Sequence, residues 1–208
     1  MNLMLSVSSS QKYKITFVLI AVNVAVYLYT SIVGGNFFVT LYTDETAQLA
    51  QYNAAVFDGA YYQLFTAMFV HSGIVHLAGN MMFLLIFGLR GEEMFSLPEY
   101  IGIYFIGGLA GNLLSLALGP ALVSVGASGA IFAMFGACAI YARRSIGQSV
   151  VGALVFGFFL VMISSGENVN YMAHIGGLAA GLIIGYLFAR TRRPQTAYKV
   201  SYSYVAPF

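Results

Sequence analysis

The sequence predicts an all-α membrane protein, a bundle of six transmembrane helices with both termini in the cytoplasm. Three observations predict it. Of 208 residues, 60% are hydrophobic and only 8% are charged, where a soluble domain carries roughly a quarter. A large core does not account for that deficit, because a domain of this size still needs a polar surface. The apolar residues gather into stretches without Asp, Glu, Lys or Arg that are long enough for spans of about 20 residues. The basic residues then fall on one side of the six spans so drawn. Soluble, disordered and disulfide-framework classes are excluded. The single Cys138 lies in an apolar run and forms no internal disulfide. A formal net charge of +2 is too small to suggest nucleic acid as a partner.

The elements follow in order. Ile15 to Val33 is apolar apart from Asn23 and a few hydroxyls and forms span one. Its apolar stretch is of span length, unlike the 7–15 residues of a cleavable signal. Gly59 to Leu89 has no charged residue but is too long for one upright helix. Ser72-Gly73 divides it into a surface segment to about residue 72 and a short span two, roughly 74–89. Tyr100 to Ala142 is also free of charge, and Gly119-Pro120 splits it into spans three and four. Ser145 to Gly166 forms span five and Asn168 to Ala189 span six. The organisation is thus a cytoplasmic N-terminus (1–14), a six-span unit (15–190) and a cytoplasmic tail (191–208). Lys12 and Lys14 precede span one, and Arg90 follows span two. Arg143 and Arg144 follow span four, and Arg190, Arg192, Arg193 and Lys199 follow span six. All nine basic residues therefore face the same compartment, which is the cytoplasm. The opposite side holds Asp44, Glu45, Asp58 and Glu167 and no Lys or Arg. A missed or extra span would scatter this pattern.

Polar residues inside spans are costly and often functional. They are few here: Asn23, His71, His76, Asn80, Asn112, Ser115, Ser128 and His174. No Asp or Glu lies within a span. That argues against a carboxylate proton relay and a carboxylate metal site, and no metal or cofactor is called for. Ser128 lies about one turn below the outer end of span four, and His174 about one turn into span six. His76 and Asn80 occupy the first two turns of span two and share a helix face. At a rise of about 1.5 Å per residue, all four sit in one outer layer. Small residues at helical spacing (Gly107 and Gly111; Gly129, Ala133 and Gly136; Gly177, Gly181 and Gly185) let backbones approach closely. Any packed bundle uses that device, but here it can bring spans four and six together.

Each polar residue has a bland reading. Ser128 can be a small packing residue, His174 an interhelical hydrogen bond, and His76 with Asn80 a helix cross-link. Together they suit nucleophilic chemistry. A serine needs a neighbouring base, and histidine is the candidate base in this layer. Gly126 and Gly129 flank the serine so that backbone can approach a substrate. A helix start offers free N–H groups and a positive dipole end to an oxyanion, and Asn80 and His76 could add donors. With no carboxylate in the layer, the arrangement reads as a Ser-His dyad.

These residues also form motifs. They are His-x-x-x-Asn in span two (His76, Asn80), Gly-x-Ser-Gly in span four (Gly126, Ser128, Gly129) and Ala-His-x-x-Gly-x-x-x-Gly in span six (Ala173, His174, Gly177, Gly181). In this the chain resembles the rhomboid intramembrane serine proteases, over about residues 15–190. The resemblance implies a six-helix rhomboid-like fold with Ser128 as nucleophile and His174 as general base. It implies an oxyanion site made by His76, Asn80 and the Ser128 backbone N–H. Phe132 stands where the family has an aromatic ring on the histidine, and Glu92 matches a structural glutamate. The family often has Trp-Arg in the outer loop, a motif that seats the loop in the membrane; this chain has Tyr62-Gln63. The expected function is hydrolysis of peptide bonds in transmembrane segments of other proteins. The partners are then transmembrane protein substrates and the lipid bilayer. The expected location is the plasma membrane, with the site open to the extracytoplasmic side. One rival is a catalytically inactive relative that binds membrane-protein clients; such relatives typically lack the Ser or the His. The other is a transporter or channel, which would need polar residues continuing into the cytoplasmic half. Spans four and six turn instead to Phe, Ile, Leu and Gly there.

Overall fold

A computed structural model describes residues 14–38, 44–146 and 170–191. Five long helices carry the architecture: α1 (Lys14–Gly34), α2 (Ile74–Met94), α3 (Leu97–Ser115), α4 (Ser128–Ile146) and α5 (Tyr171–Thr191). Among the described residues four helices are long and apolar enough to cross a membrane: α1, α2, α3 with its extension to Leu118, and α5. The apolar part of α4 is shorter, Ser128–Ala142. The helical membrane class predicted from the sequence is the class observed. The segment assigned to span five lies outside the described residues beyond Ile146, where α4 ends. Lys12, Glu167 and the tail after residue 191 also lie outside them.

Exposure explains why the membrane class could be read so directly. Phe17, Ile32, Val75, Ile86, Ile106 and Ile183 are all more than half exposed, spread over α1, α2, α3 and α5. A soluble protein does not display apolar side chains around its whole girth. Helix α4 is the opposite case: every residue from Ala130 to Phe135, then Ala137 and Cys138, is buried. A helix apolar on all sides belongs at the centre, and α4 packs against α2, α3 and α5. Its small residues are what allow this. A Cβ on Gly107 would strike Ala133, and Cβ atoms on Gly177 and Gly181 would strike the carbonyls of Gly129 and Ala133.

Helix α2 runs five residues past the predicted end at Leu89. Charge ends an apolar span but does not end a helix. Arg90 pairs with Glu93 at 2.5 Å, and Glu92 accepts the Thr16 amide at 2.8 Å. That amide lies in the first turn of α1, where no intrahelical acceptor exists, so Glu92 ties α2 to α1. Helix α3 starts immediately after, on a capping box between Ser96 and Glu99 with Pro98 in the first turn.

The segments that join α1 to α2 and α3 to α4 contain a feature with no counterpart in the sequence reading. Residues 51–52 and 123–124 form a two-stranded antiparallel ribbon, pairing Gln51 with Ser124 and Tyr52 with Val123. Backbone near a bilayer must find partners inside the protein, and buried side chains extend the same service. Gln51 donates to the Asn112 carbonyl at 3.0 Å, and Asn53 to the carbonyls of Ser115 and Gly119 at 2.9 and 2.8 Å. The Asn112 side chain donates to the Leu64 carbonyl at 2.8 Å. Asn112 and Ser115 therefore hold the α1–α2 connection on α3, while Asn23 bonds the Leu19 carbonyl of its own helix.

Candidate active site

Helix α4 begins at Ser128, so the serine stands among the unsatisfied amides of a first turn. The chain enters through Gly126, whose φ is +122° and whose N–H donates to the Ala67 carbonyl at 2.9 Å. Only glycine adopts that conformation readily. A Cβ there would also sit 2.9 Å from Cε1 and Nε2 of His76. Conformation and space thus both demand Gly126.

Helix α5 supplies His174. Asn170 sets its start, accepting the Ala173 amide at 3.1 Å while donating to the hydroxyls of Ser115 and Ser124 at 2.6 and 2.9 Å. Where α4 and α5 cross, Gly177 faces Gly129 backbone to backbone. This crossing brings the Nε2 of His174 within 2.8 Å of the Ser128 Oγ. Phe132, one turn further along α4, stacks on the imidazole with ring centroids 4.6 Å apart and planes at 28°. The Nδ1 of His174 is buried and meets no hydrogen-bond partner among the described residues.

His76 and Asn80 divide. The Cε1–Nε2 edge of His76 lies against Gly126, which places that ring beside the loop entering Ser128. The Asn80 amide is turned back on its own helix, donating to the His76 carbonyl at 3.0 Å, and its Oδ1 has no partner among the described residues. Gln63, in the place of the family's arginine, is buried in the loop and accepts the Tyr52 amide at 2.9 Å; Tyr62 is exposed.

Two residues at the site escaped the sequence reading. Asn170 had a usable signal, a side-chain acceptor immediately before a helix with its bond to the third amide. Ser72 had none: it contacts Nδ1 of His76, a choice no local pattern specifies.

His71, counted from the sequence among the polar residues of the spans, lies instead in the link before α2, fully buried and edge-on to His76 with centroids 5.1 Å apart. Burial pushes its pKa from 6.5 down to about 3; nearby His76 acts in the same direction and the Phe69 carbonyl opposes. Protonation of His71 therefore favours the unfolded chain. The stability of its neutral form is complete above about 6.5 and is lost as pH falls toward 3. Below pH 6.5 the melting temperature in detergent should fall more steeply for the wild type than for His71→Gln. Parallel curves would place the acid sensitivity elsewhere.

A family model described as Rhomboid domain matches residues 58–191. The chain is 34% identical over 143 residues to RHOMBOID-like protein 1 of Arabidopsis thaliana, covering 66% of this chain and 36% of that protein. It is 35% identical over 144 residues to RHOMBOID-like protein 6, mitochondrial, of the same plant, covering 66% and 46%. It is 30% identical over 187 residues to Rhomboid protease GluP of Bacillus subtilis, covering 85% and 35%. The chain spans less than half the length of each of these relatives.

Proposed function

Since the chain belongs to the rhomboid family, we propose that it is an active intramembrane serine endopeptidase that cleaves transmembrane segments of other membrane proteins. The observation that carries this reading is the 2.8 Å contact between Ser128 Oγ and His174 Nε2, with Phe132 stacked on the imidazole. A half-buried serine hydroxyl has many neutral partners available for packing. A histidine nitrogen at hydrogen-bond distance is the partner that can take its proton.

The chemistry follows from these atoms. Ser128 Oγ attacks the scissile carbonyl carbon while His174 Nε2 takes the hydroxyl proton. The carbonyl oxygen becomes an oxyanion facing the start of α4. There the Ser128 backbone N–H and the side chains of His76 and Asn80 are its donors. Asn80 donates with its second amide hydrogen, or turns from the His76 carbonyl as the oxyanion forms. Collapse breaks the C–N bond, and His174 returns its proton to the departing amine. Water, deprotonated by His174, then hydrolyses the acyl-enzyme and restores Ser128. His174 works without a carboxylate, as a dyad. The substrate presents an unwound stretch, because a helical peptide bond is shielded by its own turn.

The same proposal takes the chain as crossing the membrane six times with both termini in the cytoplasm, and the distribution of charge supports it. All nine basic residues of the chain then share the cytoplasmic side, and Ser128 opens to the outer side of the plasma membrane. Labelling by a fluorophosphonate in detergent tests the function. The wild type should be labelled, and Ser128→Ala and His174→Ala should not. A wild-type protein that stays unlabelled and cleaves no transmembrane substrate would overturn the reading in favour of an inactive relative that binds clients.

A further inference from the structure

Ser72 and Gly73 immediately precede α2. A serine in this place ordinarily caps the helix by accepting an amide bond from its first turn. Here Gly73 is the N-cap residue and no side chain caps the helix. The Ser72 hydroxyl turns instead to Nδ1 of His76, at 3.0 Å. The Ser72 backbone N–H points at the same nitrogen from 3.5 Å. That second contact is long, but it has a fixed sense, because a backbone N–H can only donate. A proton on Nδ1 would confront it. Nδ1 is therefore the bare, accepting nitrogen, the hydroxyl donates to it, and the single proton of the neutral ring sits on Nε2.

The position of Nε2 gives this arrangement its consequence. Nε2 and Cε1 form the edge that lies against Gly126, at the entrance to Ser128. A neutral imidazole donates from one nitrogen only. With the proton on Nε2, His76 offers an N–H toward the start of α4. With the proton on Nδ1, it offers a lone pair there, which would repel a developing oxyanion. His71, edge-on to His76 and bonded through its own Nδ1 to the Phe69 carbonyl at 3.2 Å, holds the ring from another side.

Resting on the endopeptidase reading, we propose that Ser72 is a positioning residue that holds His76 in the Nε2-protonated tautomer and so makes it an oxyanion donor. Ser72 is exposed and outside the apolar core, so Ser72→Ala should fold with an unchanged melting temperature. The chain has three histidines, and uniform ¹⁵N labelling of histidine gives three rings to assign, with His76 identified by its loss in His76→Ala. The wild type should show His76 protonated on Nε2 with a hydrogen-bonded bare Nδ1. Ser72→Ala should show mixed tautomers, a kcat lower by about tenfold and an unchanged KM. That is a fraction of the roughly 10²–10³ lost with an oxyanion donor. Ser72→Thr should restore both readouts. In a His76→Ala background, Ser72→Ala should cost nothing further. A wild-type His76 protonated on Nδ1, a tautomer unaffected by Ser72→Ala, or an equal loss of kcat with and without His76 would each overturn the proposal. The tautomer is read without turnover, while fluorophosphonate labelling of Ser128 reports the endopeptidase reading by itself, so the two failures are distinct.

Discussion

Ser128→Ala should abolish cleavage of a transmembrane substrate while leaving the protein folded. The substitution removes one oxygen from a position already flanked by glycine and alanine. The lost hydrogen bond to His174 is worth about 0.5–1.5 kcal/mol net, a small part of the stability of a packed bundle. The effect on rate is of another order. Where a serine protease loses its nucleophile, kcat falls about 10⁶-fold, so the variant should fall below detection. His174→Ala should be as inactive and less stable, because Phe132 loses the ring it stacks on. The measurements are cleavage by purified protein and its melting temperature. Cleavage by Ser128→Ala near the wild-type rate would remove Ser128 from the role of nucleophile.

Gly177→Ala should be among the most damaging single methyl groups that the described residues could gain. A Cβ at Gly177 would overlap the carbonyl of Gly129, and both sides of that contact are backbone. No side chain can rotate away, so α4 and α5 must separate. Overpacking of this kind costs about 1–3 kcal/mol. The Ser128–His174 contact lies about one turn from the crossing, and at 2.8 Å it has little slack. A displacement of about 1 Å breaks it and costs roughly 10² in rate. The melting temperature and kcat should fall together. Gly79→Ala is the control: nothing lies within 4 Å of its Cβ position, and helix propensity favours alanine by up to about 1 kcal/mol. Equal behaviour of the two variants would mean that α4 and α5 do not touch at Gly177.

Particular residues show how far the sequence could be read. Ser128 and His174 could be assigned to one depth by counting turns, because polar residues are sparse in apolar segments and helix rise is constant. The small-residue spacing suggested that their helices meet, and the structure brings the two side chains into contact. Gly126 was legible as a site of close approach; its positive φ and the His76 ring against it were not. Asn80 shares a helix face with His76 as its spacing requires, yet its amide bonds the His76 carbonyl, one of several acceptors within its reach. The extra turn of α2 was not legible, because charge ends an apolar run without ending a helix.

The sequence by itself determined that this is a helical membrane protein, where its apolar segments lie and which few polar residues they carry. Those properties are sums over neighbouring residues. The cost of placing a segment in lipid is set by its own side chains, and helical periodicity by its own backbone. Only the tertiary structure decided that α4 is the helix enclosed by the others, that Gln51 and Asn53 reach the end of α3, and that Ser72 turns to His76 instead of capping α2. A polar side chain bonds whichever group comes within about 3 Å. For Gln51 and Asn53 that group is some 60 residues away in the chain. For Ser72 it is only four residues away, but the choice depends on Gly126 and His71 crowding the same ring.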